Sequence, residues 1–114
     1  MIIKTVEDDF FDVRIRLTEK KKTIGLKEGE WLEFVTAIRT REPEDDNTKG
    51  IKEIAIRTDQ TDDEGKYVIQ IDLEEINACA GRYGFEVNII RADGKKVCLL
   101  RNDDNSFIIG RRVR

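Results

Sequence analysis

Along most of this chain, apolar and polar side chains trade places at every second position. That is the period of a β-strand with one wet face. Phe11, Val13, Ile15 and Leu17 alternate with Asp12, Arg14 and Arg16. In WLEFVTAIRTR (31–41), Leu32, Phe34, Thr36 and Ile38 share one face, while Trp31, Val35 and Ala37 share the other. A strand apolar on both sides belongs in the middle of a sheet, with Trp31 expected in the core. The density of Trp, Phe, Val, Thr and Ile favours strand over helix. Short strands are also expected over IKEIAIR (51–57), with Ile54 and Ile56 on one face, and over KYVIQIDL (66–73), with Tyr67, Ile69 and Ile71 together. In GRYGFEVNII, Tyr83, Phe85, Val87 and Ile89 point one way, and Arg82, Glu86 and Asn88 the other. Asp93-Gly94 supplies the positive φ of a tight hairpin, and 96–101 returns. FIIGRRVR (107–114) ends the chain.

Polar loops join these runs. TEKKKTIGLKEGE (18–30), EPEDDNTKG (42–50), TDQTDDEG (58–65) and NDDNS (102–106) carry the Gly, Pro, Asn and Asp of turns. EEINACAG (74–81) has the small residues of one helical turn, expected near residues 73–79. No 3.6-residue period is sustained. Short strands at regular spacing, with no linker and no repeat, predict one all-β sandwich or barrel over residues 1–114. In such a fold the first strand, Phe10–Leu17, and the last, Phe107–Val113, are the expected edges. Tyr83, two residues after Gly81 at the start of a strong strand, is placed either as a tyrosine corner or as a core aromatic.

Composition narrows the function. Charged residues are 39% of the chain, with 21 basic and 24 acidic side chains mixed throughout and a net charge of −3. A nucleic-acid binder concentrates positive charge on one face. The only basic clusters here are Lys20–Lys22 and RRVR at the end, so no nucleic-acid partner is expected. No run approaches the ~20 apolar residues of a membrane span. No basic segment followed by an apolar run opens the chain, so synthesis in the cytoplasm is expected. The two cysteines, Cys79 and Cys98, are expected as reduced, partly buried thiols, without a CxxC pair.

With no histidine, a Cys–His or Ser–His nucleophile and a His-based zinc site have no partners, and no glycine-rich phosphate loop is present. The chain is expected to be neither an enzyme nor a cofactor protein. Its acids gather in three loops: Glu42, Glu44, Asp45 and Asp46; Asp59, Asp62, Asp63 and Glu64; and Asp103 with Asp104. Oxygen-rich loops can bind calcium, although no EF-hand spacing is present. Solvated loop acids are the default. A calcium- or ligand-binding module using loops 42–46, 59–64 and 103–104 is the alternative function, with Asp59, Asp62, Asp63 and Glu64 the metal candidates.

The order of FFDVRIRL, TIGLKEGEWLEFVTAIR, YVIQIDLEEINACAG, GRYGFEVNIIRADGKKVCLL and FIIGRRVR resembles the immunoglobulin-like domains of tailed bacteriophages. One such family that it resembles is the N-terminal domain of upper baseplate proteins. There an alternating strand, a strand ending in arginine, a small-residue segment, G-x-Y, a DG hairpin and a final strand follow in the same order. The chain lacks that family's leucine–threonine–glycine loop and its terminal threonine. The resemblance implies an immunoglobulin-like antiparallel β-sandwich of six to eight strands. It also implies a non-catalytic virion or prophage component of tail, baseplate or neck, whose partners are other virion proteins. Virion symmetry adds the expectation of a homo-oligomer.

Overall fold

The computed structural model describes residues 1–41 and 50–112. Its elements, in chain order, are β1 (Ile2–Val6), β2 (Phe10–Ile15), β3 (Thr18–Glu19), β4 (Lys22–Thr23), β5 (Trp31–Arg39) and β6 (Ile51–Thr58). They continue with β7 (Tyr67–Asp72), α1 (Leu73–Ile76), β8 (Gly81–Ile90), β9 (Lys96–Leu100), a 3-10 turn (Asn102–Asp104) and β10 (Ser106–Gly110). The large sheet runs β1-β10-β8-β5-β6, with β9 also paired to β8, and β2 and β7 form a small sheet. The result is the all-β sandwich that the alternation predicts, with the expected helical turn at Leu73–Ile76.

The core forms where the inner faces of the two sheets meet. Leu32, Phe34 and Ile38 of β5, Phe85 and Val87 of β8, and Phe107 and Ile109 of β10 are almost wholly buried against Val13, Ile15, Tyr67, Ile69 and Ile71. Phe34 stacks on Phe85 with centroids 5.1 Å apart. Phe107 meets Phe34 and Phe11 edge-on at 6.0 and 6.1 Å. Phe11 thus carries the aromatic contact from one sheet to the other, and such pairs add to the area each ring buries.

Three features differ from the sequence pattern. First, β1 was not expected. Its alternation is weak, and it is held by a parallel pairing with β10 that runs from Ile2↔Ser106 to Val6↔Gly110. β10 therefore lies between β1 and β8, and the last strand is not an edge. Pairing across a hundred residues of sequence leaves no local signal. The other expected edge holds, because β2 pairs only with β7 among the described residues. The expected terminal residue Val113 lies outside those residues.

Second, the return strand and the last strand, expected on either side of the NDDNS loop, both pair with β8. β9 pairs with the far end of β8 and β10 with its beginning. A bulge at Leu99 and the 3-10 turn separate the two. Buried Asn105 pins the break, its Nδ2 donating to the Arg101 carbonyl at 2.6 Å. Third, the loop around Lys20–Lys22 is a small hairpin, β3 to β4, with Lys20 and Lys21 both at positive φ.

Candidate functional site

The second acidic loop joins β6 to β7, and the metal candidates lie on it. Asp62 is already engaged. Its Oδ1 accepts the N–H groups of Glu64 at 2.8 Å and Lys66 at 2.9 Å, and its Oδ2 accepts Arg14 Nη1 at 2.8 Å. The Lys66 N–H, offset in part by desolvation, and then the Arg14 guanidinium hold the Asp62 carboxyl below the usual aspartate range. The Glu64 carboxylate lies 3.2 Å from Lys66 Nζ, and Asp59 accepts Gln60 Nε2 at 2.7 Å. A surface depression of about 450 Å³ collects Asp62, Asp63 and Glu64 with Arg14 and Lys66, while Asp59 is not among its lining residues. Asp62 caps the turn and pairs with Arg14, and Glu64 pairs with Lys66. Among the described residues, no group of three or more Cys, Asp or Glu is placed to hold a metal ion. Asp103 and Asp104 stand exposed on the 3-10 turn, and Glu42, Glu44, Asp45 and Asp46 lie outside the described residues.

Tyr83 is a tyrosine corner. Its hydroxyl donates to the Cys79 carbonyl at 2.9 Å, across the link between α1 and β8. Asp72 caps α1 by accepting the Glu75 N–H, and Asn77 ends it at φ 61°. Cys79 N–H then bonds to the Arg39 carbonyl, which ties the link to β5. A Cβ at Gly81 would lie 2.8 Å from the Tyr83 oxygen, so the glycine makes room for the corner. Cys79 is half-buried as expected, but Cys98 is exposed, because β9 has little covering it.

The outer face of the large sheet holds a group that the alternation does not reveal. Glu33 is 3% exposed, yet it points away from the core. Arg57 Nε reaches it at 2.9 Å and Lys96 Nζ at 3.2 Å. Desolvation pushes the Glu33 carboxyl up, but the Arg57 hydrogen bond and the charges of Lys96 and Arg57 outweigh it, and the net shift is downward. Asn88, opposite Glu33 on β8, is 1% exposed. The only sequence signal was an acid in the middle of an apolar run. Trp31 is 40% exposed at the start of β5, which corrects its expected place in the core. It falls on the outer parity, where no second sheet covers it.

At one end of the sandwich, Arg39 and Arg41 at the end of β5 meet Arg111 and Arg112 around Glu7 and Cys79, lining an open depression of about 540 Å³. Arg41 bridges Glu7 at 3.2 Å and Asp8 at 3.1 Å. Glu7 also accepts the Arg112 N–H, the largest influence holding its carboxyl low. Read linearly, these arginines fall into two unrelated groups.

Each sheet also has open borders. Among the described residues, β1 pairs only with β10, β6 only with β5, and β2 only with β7. Large apolar side chains stand exposed on or beside these borders: Ile2 and Val6 on β1, Phe10 on β2 and Ile51 on β6. Such borders, with their unpaired N–H and C=O groups, can accept another strand. No protein-family model, no curated protein and no solved structure matches this chain.

Proposed function

We propose that this protein is a non-catalytic assembly component of a phage or prophage tail, baseplate or neck, acting through contacts with other virion proteins. The observation that carries the assembly reading is the set of open strand borders with exposed Ile2, Val6, Phe10 and Ile51. A sheet border with apolar side chains offers both main-chain hydrogen bonds and area to a partner strand.

The virion setting rests on the sequence resemblance to immunoglobulin-like tail domains. The strand order is consistent with it. By pairing, β2 and β7 take the places of the B and E strands, β5, β8 and the β9–β10 pair those of C, F and G, and β6 that of C′. The tyrosine corner stands at the start of the F-equivalent strand, where immunoglobulin-like sandwiches carry it. On this reading the protein is made in the host cytoplasm and ends in the particle.

Co-expression with the products of the neighbouring genes, followed by purification through a tag on this chain, tests the reading. Stoichiometric recovery of a tail, baseplate or neck protein supports it. Neighbouring genes of metabolism, with none of their products recovered alongside an active site found by substrate screening, would overturn it.

A further inference from the structure

We propose that β6 is the contact between two copies of this chain, paired antiparallel about a two-fold axis at Ala55. This deepens the assembly reading by naming one partner, and it rests on the view that sheet borders are the working surface.

The β5–β6 register fixes which backbone groups of β6 face outward. Thr40 N–H donates to the Gly50 carbonyl, in step with the β5–β6 register. Antiparallel partners alternate between bonded and non-bonded pairs. Lys52, Ile54, Ile56 and Thr58 therefore turn their N–H and C=O groups towards β5. Those of Ile51, Glu53, Ala55 and Arg57 face the open border. A two-fold partner can bond only through these odd-numbered residues.

Side chains then choose the register. With Ala55 opposite its own copy, Glu53 faces the partner's Arg57 on the outer face, twice by symmetry. On the inner face Ile54 faces the partner's Ile56. Moving the axis to Glu53 or Arg57 sets like charges opposite each other. Moving it to Ile54 faces Glu53 with alanine, and moving it to Ile56 faces Glu53 with Asp59. Directly opposite like charges destabilise a sheet, and unlike charges and apolar pairs stabilise it. The small methyl of Ala55 suits the crowded centre.

The site is also prepared for a visitor. Ile54 and Ile56 are only partly buried against the core, so the small sheet leaves the inner face of β6 partly uncovered. A groove of about 340 Å³ runs beside it, lined by Ile56, Thr58, Val68 and Gln70 among others. Among the described residues Arg57 binds Glu33 through Nε alone, which leaves its terminal nitrogens for a second carboxylate.

Sedimentation equilibrium of the untagged protein over a wide concentration range tests the pairing. A monomer–dimer equilibrium is expected. Glu53→Arg, which sets arginines opposite each other twice, raises the dissociation constant by about tenfold or more. Ala55→Pro abolishes the dimer while circular dichroism stays native, because the lost N–H points outward. With Cys98→Ser as background, Ala55→Cys oxidises to a dimer cross-linked through position 55. Opposed residues of a bonded pair lie roughly 5.5 Å apart, within disulfide reach. A protein that stays monomeric at millimolar concentration, or a dimer untouched by Ala55→Pro, overturns the proposal. If that monomer still co-purifies with tail proteins, only the self-pairing fails. If the dimer forms as described but binds no virion protein, only the virion reading fails.

Discussion

Glu33 shows how one residue can escape a reading of alternation. Its parity marks it as outward, and outward acids are normally wet, yet Arg57 and Lys96 close over it. Because its folded pKa is lowered, it stabilises the protein above the ordinary glutamate range. That contribution disappears as pH falls through the lowered value. Glu33→Gln should cost about 1 kcal/mol at neutral pH. The gap from wild type, read by denaturant melts, should close in strong acid.

Tyr83 was the opposite case. Its glycine two residues back and its place at a strand start made the corner one of two readings, and the hydroxyl bond to Cys79 decides for it. Tyr83→Phe should cost about 1 kcal/mol, a fall of roughly 4 °C in melting temperature. Gly81→Ala should be worse, since the new Cβ strikes the tyrosine ring. The hairpin lysines give a prediction of the other sign. Lys20 and Lys21 hold left-handed backbone, at φ 50° and 65°, where Asn-Gly is preferred. Lys20→Asn with Lys21→Gly should raise stability by about 1 kcal/mol.

Among elements, the strands with strong two-residue periods were legible from their own residues. β2, β7 and β8 each alternate over six residues or more, β5 is apolar on both faces, and each lies where its pattern put it. The α1 turn falls within the expected 73–79, although the small residues that suggested it, Ala78 to Gly81, lie beyond its end at Ile76. What was not legible depends on partners distant in sequence. β1 exists because β10 offers it a ladder, and β10 ceases to be a border for the same reason. The break between β9 and β10 was legible in NDDNS, but the bulge at Leu99 and the sharing of β8 by both strands were not. The convergence of Arg39 and Arg41 with Arg111 and Arg112 likewise needs the fold. Central position should appear in dynamics. Native-state hydrogen exchange should be slowest in β5 and β8, which have neighbours on both sides, and fast in the poorly covered β9. Faster exchange in β5 than in β9 would contradict this arrangement.

For the whole molecule, the balance of charge and the geometry of the acidic turn bear on ligands. Asp62 has committed both oxygens to the turn and to Arg14. Millimolar calcium should therefore leave the melting temperature unchanged, since only a ligand that binds the folded state raises it. A rise of several degrees would restore the acidic-loop reading. The assembly reading concentrates on the borders instead, where the two sheets end and main-chain groups lie open. Cross-linking mass spectrometry of purified tail particles measures that most directly. The protein should be present in a copy number set by particle symmetry, with Lys4 on β1 and Lys52 on β6 linked to neighbouring subunits. Its absence from the particle, or cross-links confined to single copies, would contradict the account.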